Sequence, residues 1–236
     1  LDASRLETAE QKARGVANVA LFVLAGLQVE DRGVLSLAFD EQDAAHLSGG
    51  GDVAGECALV RIDRGGANGA GAASELVAAL EKQRHLLQEA VDAVADDASS
   101  AARLGVGRAL EEAILSAHEA LRDHPGSASL SAVIVAGHHA TVASVGLCRA
   151  YLLRDGAVRR LTTDHSVAAE RVRSGRLSAA EALRSSLRFR VARTVGGSHE
   201  LDVDLAEVAL SSGDQLLLCT DGLHATVADD LIARAL

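Results

Sequence analysis

The sequence predicts an α+β domain built from antiparallel layers, and three observations carry that expectation. Short apolar runs bounded by turn residues fill both ends of the chain. Two amphipathic helical stretches lie between them. The later runs follow one another through turns of hairpin length. A parallel α/β sheet would instead alternate strand and helix throughout. The 236 residues suffice for one large domain, and no linker separates the halves. One domain over residues 20–236 is therefore expected, after a polar, helix-forming extension at 1–19 (LDASRLETAEQKARGVANV).

Strand signals come first, at 20–29 and 33–39, with Asp31-Arg32-Gly33 as the turn between them. SGGGDVAG (48–55) reads as a loop, and CALVRID (57–63) as a third strand ending in Asp63. The Gly-rich turn RGGANGAG (64–71) opens the helical part. Residues 72–94 place Leu76, Leu80, Leu87, Val91 and Val94 on one face. Residues 107–124 do the same with Leu110, Ile114, Ala117 and Leu121, and Pro125-Gly126 stops them. SLSAVIVAG (129–137) and ATVASVG (140–146) follow as strands, joined through His138-His139. RAYLLRD (149–155) pairs with AVRRLT (157–162) across Asp155-Gly156, a hairpin signature. Two short helical segments fill 165–185. DLAEVAL (204–210) and QLLLCTD (215–221) bracket a turn at 211–214, and a last helix starts near Ala228.

Composition narrows the class. Asp and Glu number 33 against 23 Lys and Arg, a net charge of −10. No basic patch stands out, so nucleic acid is not expected as a partner, although a metal can reverse local charge and admit a phosphate. Cys57, Cys148 and Cys219 are widely spaced in apolar contexts, which fits buried thiols in a reducing, cytoplasmic compartment. VALFVLAGLQV (19–29) is about half the length of a bilayer span, so no membrane span is expected. The chain has no Met and a single Pro.

The chemistry-bearing signal is a set of strand-end carboxylates. Asp63 ends CALVRID, Asp221 ends QLLLCTD, and Asp43 follows a strand in DEQDA (40–44). Asp before Gly is by itself a common turn pair. Gathered on one rim, however, such carboxylates repel unless a divalent cation neutralises them, and hard Mg²⁺ and Mn²⁺ take oxygen ligands.

Several stretches, in order, resemble the bacterial form of the metal-dependent Ser/Thr phosphatases of the protein phosphatase 2C (PPM) family. VASVGLCRAYLLRDGAVRRLTTDHS (142–166) resembles VANVGDSRAYLLRDG…LTxDHS, VARTVGG (191–197) resembles TRALGG, and GDQLLLCTDGLHATV (213–227) resembles GDRLLLCSDGLxDxV. Upstream, DEQDA resembles ENxDA and RIDRGGANGAGAAS resembles ADGMGGHAAGEVAS. The resemblance implies a four-layer α-β-β-α sandwich, two antiparallel sheets each flanked by a pair of helices. It implies hydrolysis of phosphoserine and phosphothreonine by a water bridging two Mn²⁺ or Mg²⁺ ions. By the same resemblance Asp63 bridges the two metals, the Arg64 position offers a backbone carbonyl, Asp221 is a metal ligand and Asp43 holds metal-bound water. Gly222 would let the backbone turn away from the site. A phosphorylated protein substrate, or a kinase or regulator, is the implied partner.

Four positions depart from the family pattern. Arg64 replaces a Gly, and its guanidinium either occupies a metal position against Asp63 and Asp221 or points to solvent. Leu147 replaces the Asp of GDSR. LSLAF (35–39) lacks the phosphate-binding Arg, and Arg32 is displaced by a strand's length. The family's last metal-binding Asp-Asn pair does not occur before LIARAL. Among the histidines, His138-His139 are expected to be solvated and His165 to be structural. Asp164 is expected to be the partner of His165 or a helix cap, and His224 an exposed loop residue. Two readings follow: an active phosphatase carried by Asp43, Asp63 and Asp221, or a pseudophosphatase that keeps the scaffold as a binding or regulatory module.

Overall fold

A computed structural model describes residues 22–25, 36–38, 57–63, 69–97, 99–197, 200–225 and 227–235. The extension expected at 1–19, Asp43 and Arg64 lie outside the described residues. The strands are β1 (Phe22–Ala25), β2 (Ser36–Ala38), β3 (Cys57–Asp63), β4 (Ser129–Ala136), β5 (His139–Val145), β6 (Arg149–Arg154), β7 (Ala157–Arg160), β8 (Asp204–Ala209) and β9 (Gln215–Cys219). They form two sheets, ordered β1-β9-β6-β7 and β2-β3-β4-β5-β8.

The apolar runs are explained by layers. β4 is buried along its whole length because both of its faces are covered. Leu130, Ala132, Ile134 and Ala136 face the helices, while Val133 and Val135 face the other sheet. β9 is the counterpart in the first sheet. Leu216 and Leu218 point into the inter-sheet core with Val142, Leu152 and Val208. Leu217 and Cys219 point outward, where Tyr151, Leu153, Leu223 and Ile232 cover them. A strand covered on both sides must be apolar at every position, so QLLLC shows no alternation. The result is the expected sandwich of helices, two sheets and helices.

Three helices lie on the outer face of the larger sheet: α1 (Gly69–Lys82), α2 (Arg84–Asp96) and α3 (Ser100–Ala120). The single helix expected over 72–94 is broken at Gln83, whose N–H returns to Leu80 O and whose side chain donates to Ser116 Oγ at 3.0 Å. The helix expected from Gly107 starts two turns earlier. Ser99 caps it by accepting from the Ala102 N–H, and burial of Val106, Ala109 and Leu110 adds to the cap in carrying the helix through Gly105 and Gly107. It ends at Ala120, before Pro125 is reached. Beyond β7 come α4 (Val167–Arg173), α5 (Ala179–Arg184), a 3-10 turn (Ser186–Phe189), α6 (Asp221–His224) and α7 (Asp229–Ala235). Among the described residues no helix is long and apolar enough to cross a membrane.

Among the described residues, pairings are antiparallel except one. β2 runs parallel to β3, with Leu37 opposite Ala58. That edge pair apart, the described sheets are antiparallel as expected. Residues 39–56 supply a connection long enough for a parallel pair. The β6–β7 hairpin turns through Asp155 (φ 52°) and Gly156 (φ 74°), both left-handed as the two-residue turn requires.

Gly146, after β5, has φ 92°, and a Cβ there would collide with the Cα, Cβ and Oγ of Ser129. Gly146→Ala combines backbone strain with overpacking against a buried strand. It should lower stability by about 2–5 kcal/mol, read as a reduced urea midpoint at unchanged slope.

Candidate functional site

Asp221 reaches the surface because β9 ends there. Four buried residues, Leu216 to Cys219, precede an extended Thr220 (φ −84°, ψ 174°), and Asp221 then opens the single helical turn α6. The Asp221 carbonyl accepts from the Ala225 N–H at 2.8 Å, and its side chain is half-buried. Gly222 lies within that helical turn and is absent from the left-handed glycines. The chain therefore changes direction by helix formation, not by a conformation reserved for glycine, which corrects the expectation for Gly222.

The rim is assembled around the turn between β5 and β6. The Leu147 N–H donates to Ser129 Oγ at 3.2 Å, and the Leu147 carbonyl accepts from His224 Nε2 at 2.8 Å. His224 is therefore half-buried at the rim and not a free loop residue, because α6 folds it back onto the turn. Ser129 in turn is the register partner of Asp63 at the end of β3. The backbone of Asp63 and the α6 turn bearing Asp221 thus lie at the same end of the sandwich, linked through Ser129, Leu147 and His224. Leu147 itself is 1% exposed and apolar, so the position resembling the Asp of GDSR offers no ligand.

His165 holds the same turn from its other side. Its ring Nδ1 accepts from the Gly146 N–H at 3.1 Å, and its own N–H donates to the Gly146 carbonyl at 2.9 Å. The ring is 1% exposed, with Nε2 3.0 Å from Asp204 Oδ2; the contact is at ion-pair distance but not aligned as a hydrogen bond. Burial opposes the Asp204 charge, yet His165 and Arg193 hold its carboxyl below the usual carboxylate range. The structural role expected for His165 agrees with this geometry, but its partner is Asp204. Asp164 instead pairs with Arg149, through Nε to Oδ1 at 2.7 Å and Nη2 to Oδ2. The cap of α4 is Ser166, which accepts from the Ala169 N–H.

Arg149 anchors a second polar chain that sequence reasoning missed. Its Nη1 donates to Tyr151 Oη at 3.0 Å, and Tyr151 Oη donates to Asp229 Oδ1 at 2.9 Å, so α7 is tied to β6. Burial works against the Arg149 charge, but Asp164 and Tyr151 raise its pKa above the ordinary value. Burial pushes the Tyr151 phenol up, against the pull of Arg149. Burial also disfavours the Asp164 charge, and the Arg149 and Arg160 guanidiniums outweigh it and keep the carboxyl low. The alternation of Arg149 and Tyr151 along a strand put both on one face, but nothing local indicated the distant Asp164 and Asp229.

A hard cation needs convergent oxygens. Among the described residues no group of three His, Cys, Asp or Glu side chains forms such a cluster. His138 is exposed and His139 half-buried, and neither joins one. The described rim supplies the Asp221 carboxylate, and the β3 strand end at Asp63 lies at the same end of the sandwich. The Asp221 carboxylate is an oxygen donor of the kind hard Mg²⁺ and Mn²⁺ take, whereas the buried, apolar Leu147 side chain is not one.

Burial, then the positive charge of Arg149, push His224 below its usual pKa. The folded state thus resists protonating it. Its contribution to stability is complete above the unfolded-state value of about 6.5 and is lost as pH falls through and below that value. Metal-free urea titrations at pH 5–7 should show the wild type losing more stability than His224→Gln, which keeps an N–H donor without titrating.

Residues 66–198 match the family model described as protein phosphatase 2C. The match begins after Asp63 and ends before Asp221. Over 95 residues the chain is 37% identical to the serine/threonine phosphatase Stp of Listeria innocua, covering 40% of this chain and 38% of that protein. It is 35% identical over 108 residues to the serine/threonine protein phosphatase PstP of Mycobacterium tuberculosis, covering 46% and 21%. The matched region thus spans less than half the length of these relatives. Among solved structures, the serine/threonine phosphatase of S. agalactiae superposes with a TM-score of 0.63 at 20% identity, covering 92% of this chain and 85% of that one. The catalytic domain of PstP in complex with two manganese ions superposes with a TM-score of 0.57 at 23% identity, covering 92% and 83%. Those likenesses show a shared fold, and the family match extends over more than half of the sequence. The chain belongs to the protein phosphatase 2C family.

Proposed function

We propose that this protein is a phosphoserine/phosphothreonine protein phosphatase with a dinuclear Mn²⁺ or Mg²⁺ site. The single observation that supports it most is the common rim: Asp221 and the strand end carrying Asp63 meet through the Ser129–Leu147–His224 links, in a chain of this family. Asp63 and Asp221 would hold the ions directly, Asp43 through water, and the residue-64 position through its backbone carbonyl. When bound, the ions would supply an activated water and neutralise charge on the phosphoryl group. The protein's own work is positional. His165, Ser129 and His224 fix the rim turn, and the Arg149–Asp164 pair fixes β6 beside it. The substrate on this reading is a cytoplasmic phosphoprotein, in keeping with the buried Cys148 and Cys219 side chains.

A specific observation favours a second reading. The buried Leu147 offers no ligand where the family pattern has an Asp, and in the sequence Arg64 stands where that pattern has a Gly. A pseudophosphatase would keep the fold and bind a kinase, a phosphoprotein or a regulator without hydrolysis.

Hydrolysis of p-nitrophenyl phosphate should appear on adding millimolar-range Mn²⁺ and vanish with chelator. Asp221→Ala should abolish it and should also abolish the rise in melting temperature that Mn²⁺ gives the wild type. A wild type that neither turns over substrate nor gains stability from Mn²⁺ defeats the enzyme reading. Arg64→Gly should raise the affinity for Mn²⁺ if the guanidinium competes at the site, measured by calorimetric titration. An unchanged affinity places that side chain away from it.

A further inference from the structure

Residues 167–190 leave the sandwich between two fixed points. Ser166 bridges Val191, the Val167 N–H donates to Arg190 O at 2.9 Å, and the Ala192 N–H donates to His165 O at 2.7 Å. His165 is the residue that grips Gly146, so the excursion is rooted beside the rim turn. It contains α4, α5 and the 3-10 turn, and of these only α4 buries a residue, Ala168. A segment that contributes so little to the core is free to be surface.

Its charge departs sharply from the rest of the chain. Six arginines (Arg171, Arg173, Arg176, Arg184, Arg188 and Arg190) stand against two glutamates, within a protein of net charge −10. Glu181 is consumed locally: its carboxylate accepts from the Ser178 N–H at 2.8 Å and from Ser178 Oγ at 2.7 Å in a capping box. Five of the arginines are exposed, and Arg188 lies over the Phe189 ring at 4.2 Å. No ion pair to a carboxylate joins any of the six among the described residues, whereas Arg149, Arg154 and Arg193 on the sandwich all have acidic partners. Beside these charges two large apolar side chains are open, Leu183 at 71% exposure and Phe189 at 46%. Guanidinium groups without internal partners, interleaved with exposed apolar anchors, suit a polypeptide carrying carboxylates or phosphates.

We propose that the arginine-rich excursion over residues 167–190 is a docking surface for an acidic polypeptide segment, the sequence flanking the phosphorylated residue of the substrate. The identification of that segment as substrate rests on the phosphatase reading above; the charge selectivity of the surface does not. A phosphoprotein with Asp and Glu around its modified residue would be drawn to this cationic surface, rooted beside the rim, while the net acidic charge of the rest of the chain disfavours other approaches.

The test uses the whole chain and two labelled peptides, each with one phosphothreonine, flanked in one by Asp and Glu and in the other by Lys. Fluorescence anisotropy should show tighter binding of the acidic peptide, weakening as salt rises. The combined change Arg171→Glu, Arg173→Glu and Arg176→Glu should lower that affinity about tenfold. The milder pair Arg173→Gln and Arg176→Gln should lower it by less, with unchanged circular dichroism. Equal binding of the two peptides, or full binding by the charge-reversed chain, overturns the proposal. So does tighter binding of a single-stranded oligothymidylate than of the acidic peptide, which would assign the surface to nucleic acid. So too does concentration-dependent self-association without peptide binding, which would assign it to a second copy. Mn²⁺-dependent turnover is followed in parallel. Charge-selective binding without turnover defeats the phosphatase reading and leaves the surface standing. Turnover of both peptides at equal kcat/KM with equal affinity does the reverse.

Discussion

The Gly146–Leu147 turn is the constraint on which the rest of this architecture depends. It carries the chain from the larger sheet to the smaller one, and it is gripped from three directions. Ser129 accepts from one amide, His165 accepts from the other, and His224 donates to the Leu147 carbonyl. These three side chains come from β4, from the segment before α4, and from the turn after β9. Buried backbone groups must find partners, and here side chains supply them where a strand ladder has ended. Fixing one turn therefore fixes the relative placement of four parts of the chain, among them the strand end of Asp63 and the helical turn of Asp221.

The polar groups around this turn are arranged to remain ionised at a half-buried edge. Arg149 and Asp164 are both largely screened from water, and each keeps its charge because the other is there. A pair of this kind adds little net stability against an apolar substitute, but it is costly to break singly, so it selects one arrangement of β6 over others. Tyr151 extends the selection to α7 through Asp229. The surface of residues 167–190 follows the opposite logic. Five of its six arginines are exposed and none has a carboxylate partner among the described residues, and they lie on an excursion that contributes almost nothing to the core. One edge of the molecule thus spends its charges internally, and the neighbouring one holds them out.

Much of this was legible in the residues. Alternating and continuous apolar runs located the strands of residues 129–160 and 204–219 because burial of one or both faces leaves a pattern that survives without context. Asp155-Gly156 marked its hairpin because left-handed backbone at both positions restricts the residues that can occupy it. The break at Gln83 was not visible, since Gln is a good helix former and the interruption is bound to Ser116 on another helix. The early start of α3 was masked by two glycines, which the Ser99 cap and the buried face of the helix together offset. Asp164 was assigned to its sequence neighbour, while its partner Arg149 lies across a hairpin. The parallel β2–β3 pair arose from a connection whose length, not composition, permits it. The arginines of 167–190 were all in plain view, but a whole-chain charge of −10 averages them away.

The sequence alone determined a layered α+β domain of strands with amphipathic helices between them, and it singled out the strand-end carboxylates as candidates for chemistry. Those features follow from local rules: side-chain period, turn preference, and the desolvation cost of a carboxylate. Only the tertiary structure decided which groups meet. The pairing of Asp63 with Ser129, the reach of His224 to Leu147 and the choice of Asp204 for His165 depend on strand register and on the direction in which each element leaves the sheets. Contacts between residues far apart in the chain are set by the packing of the whole, so no window of sequence contains them.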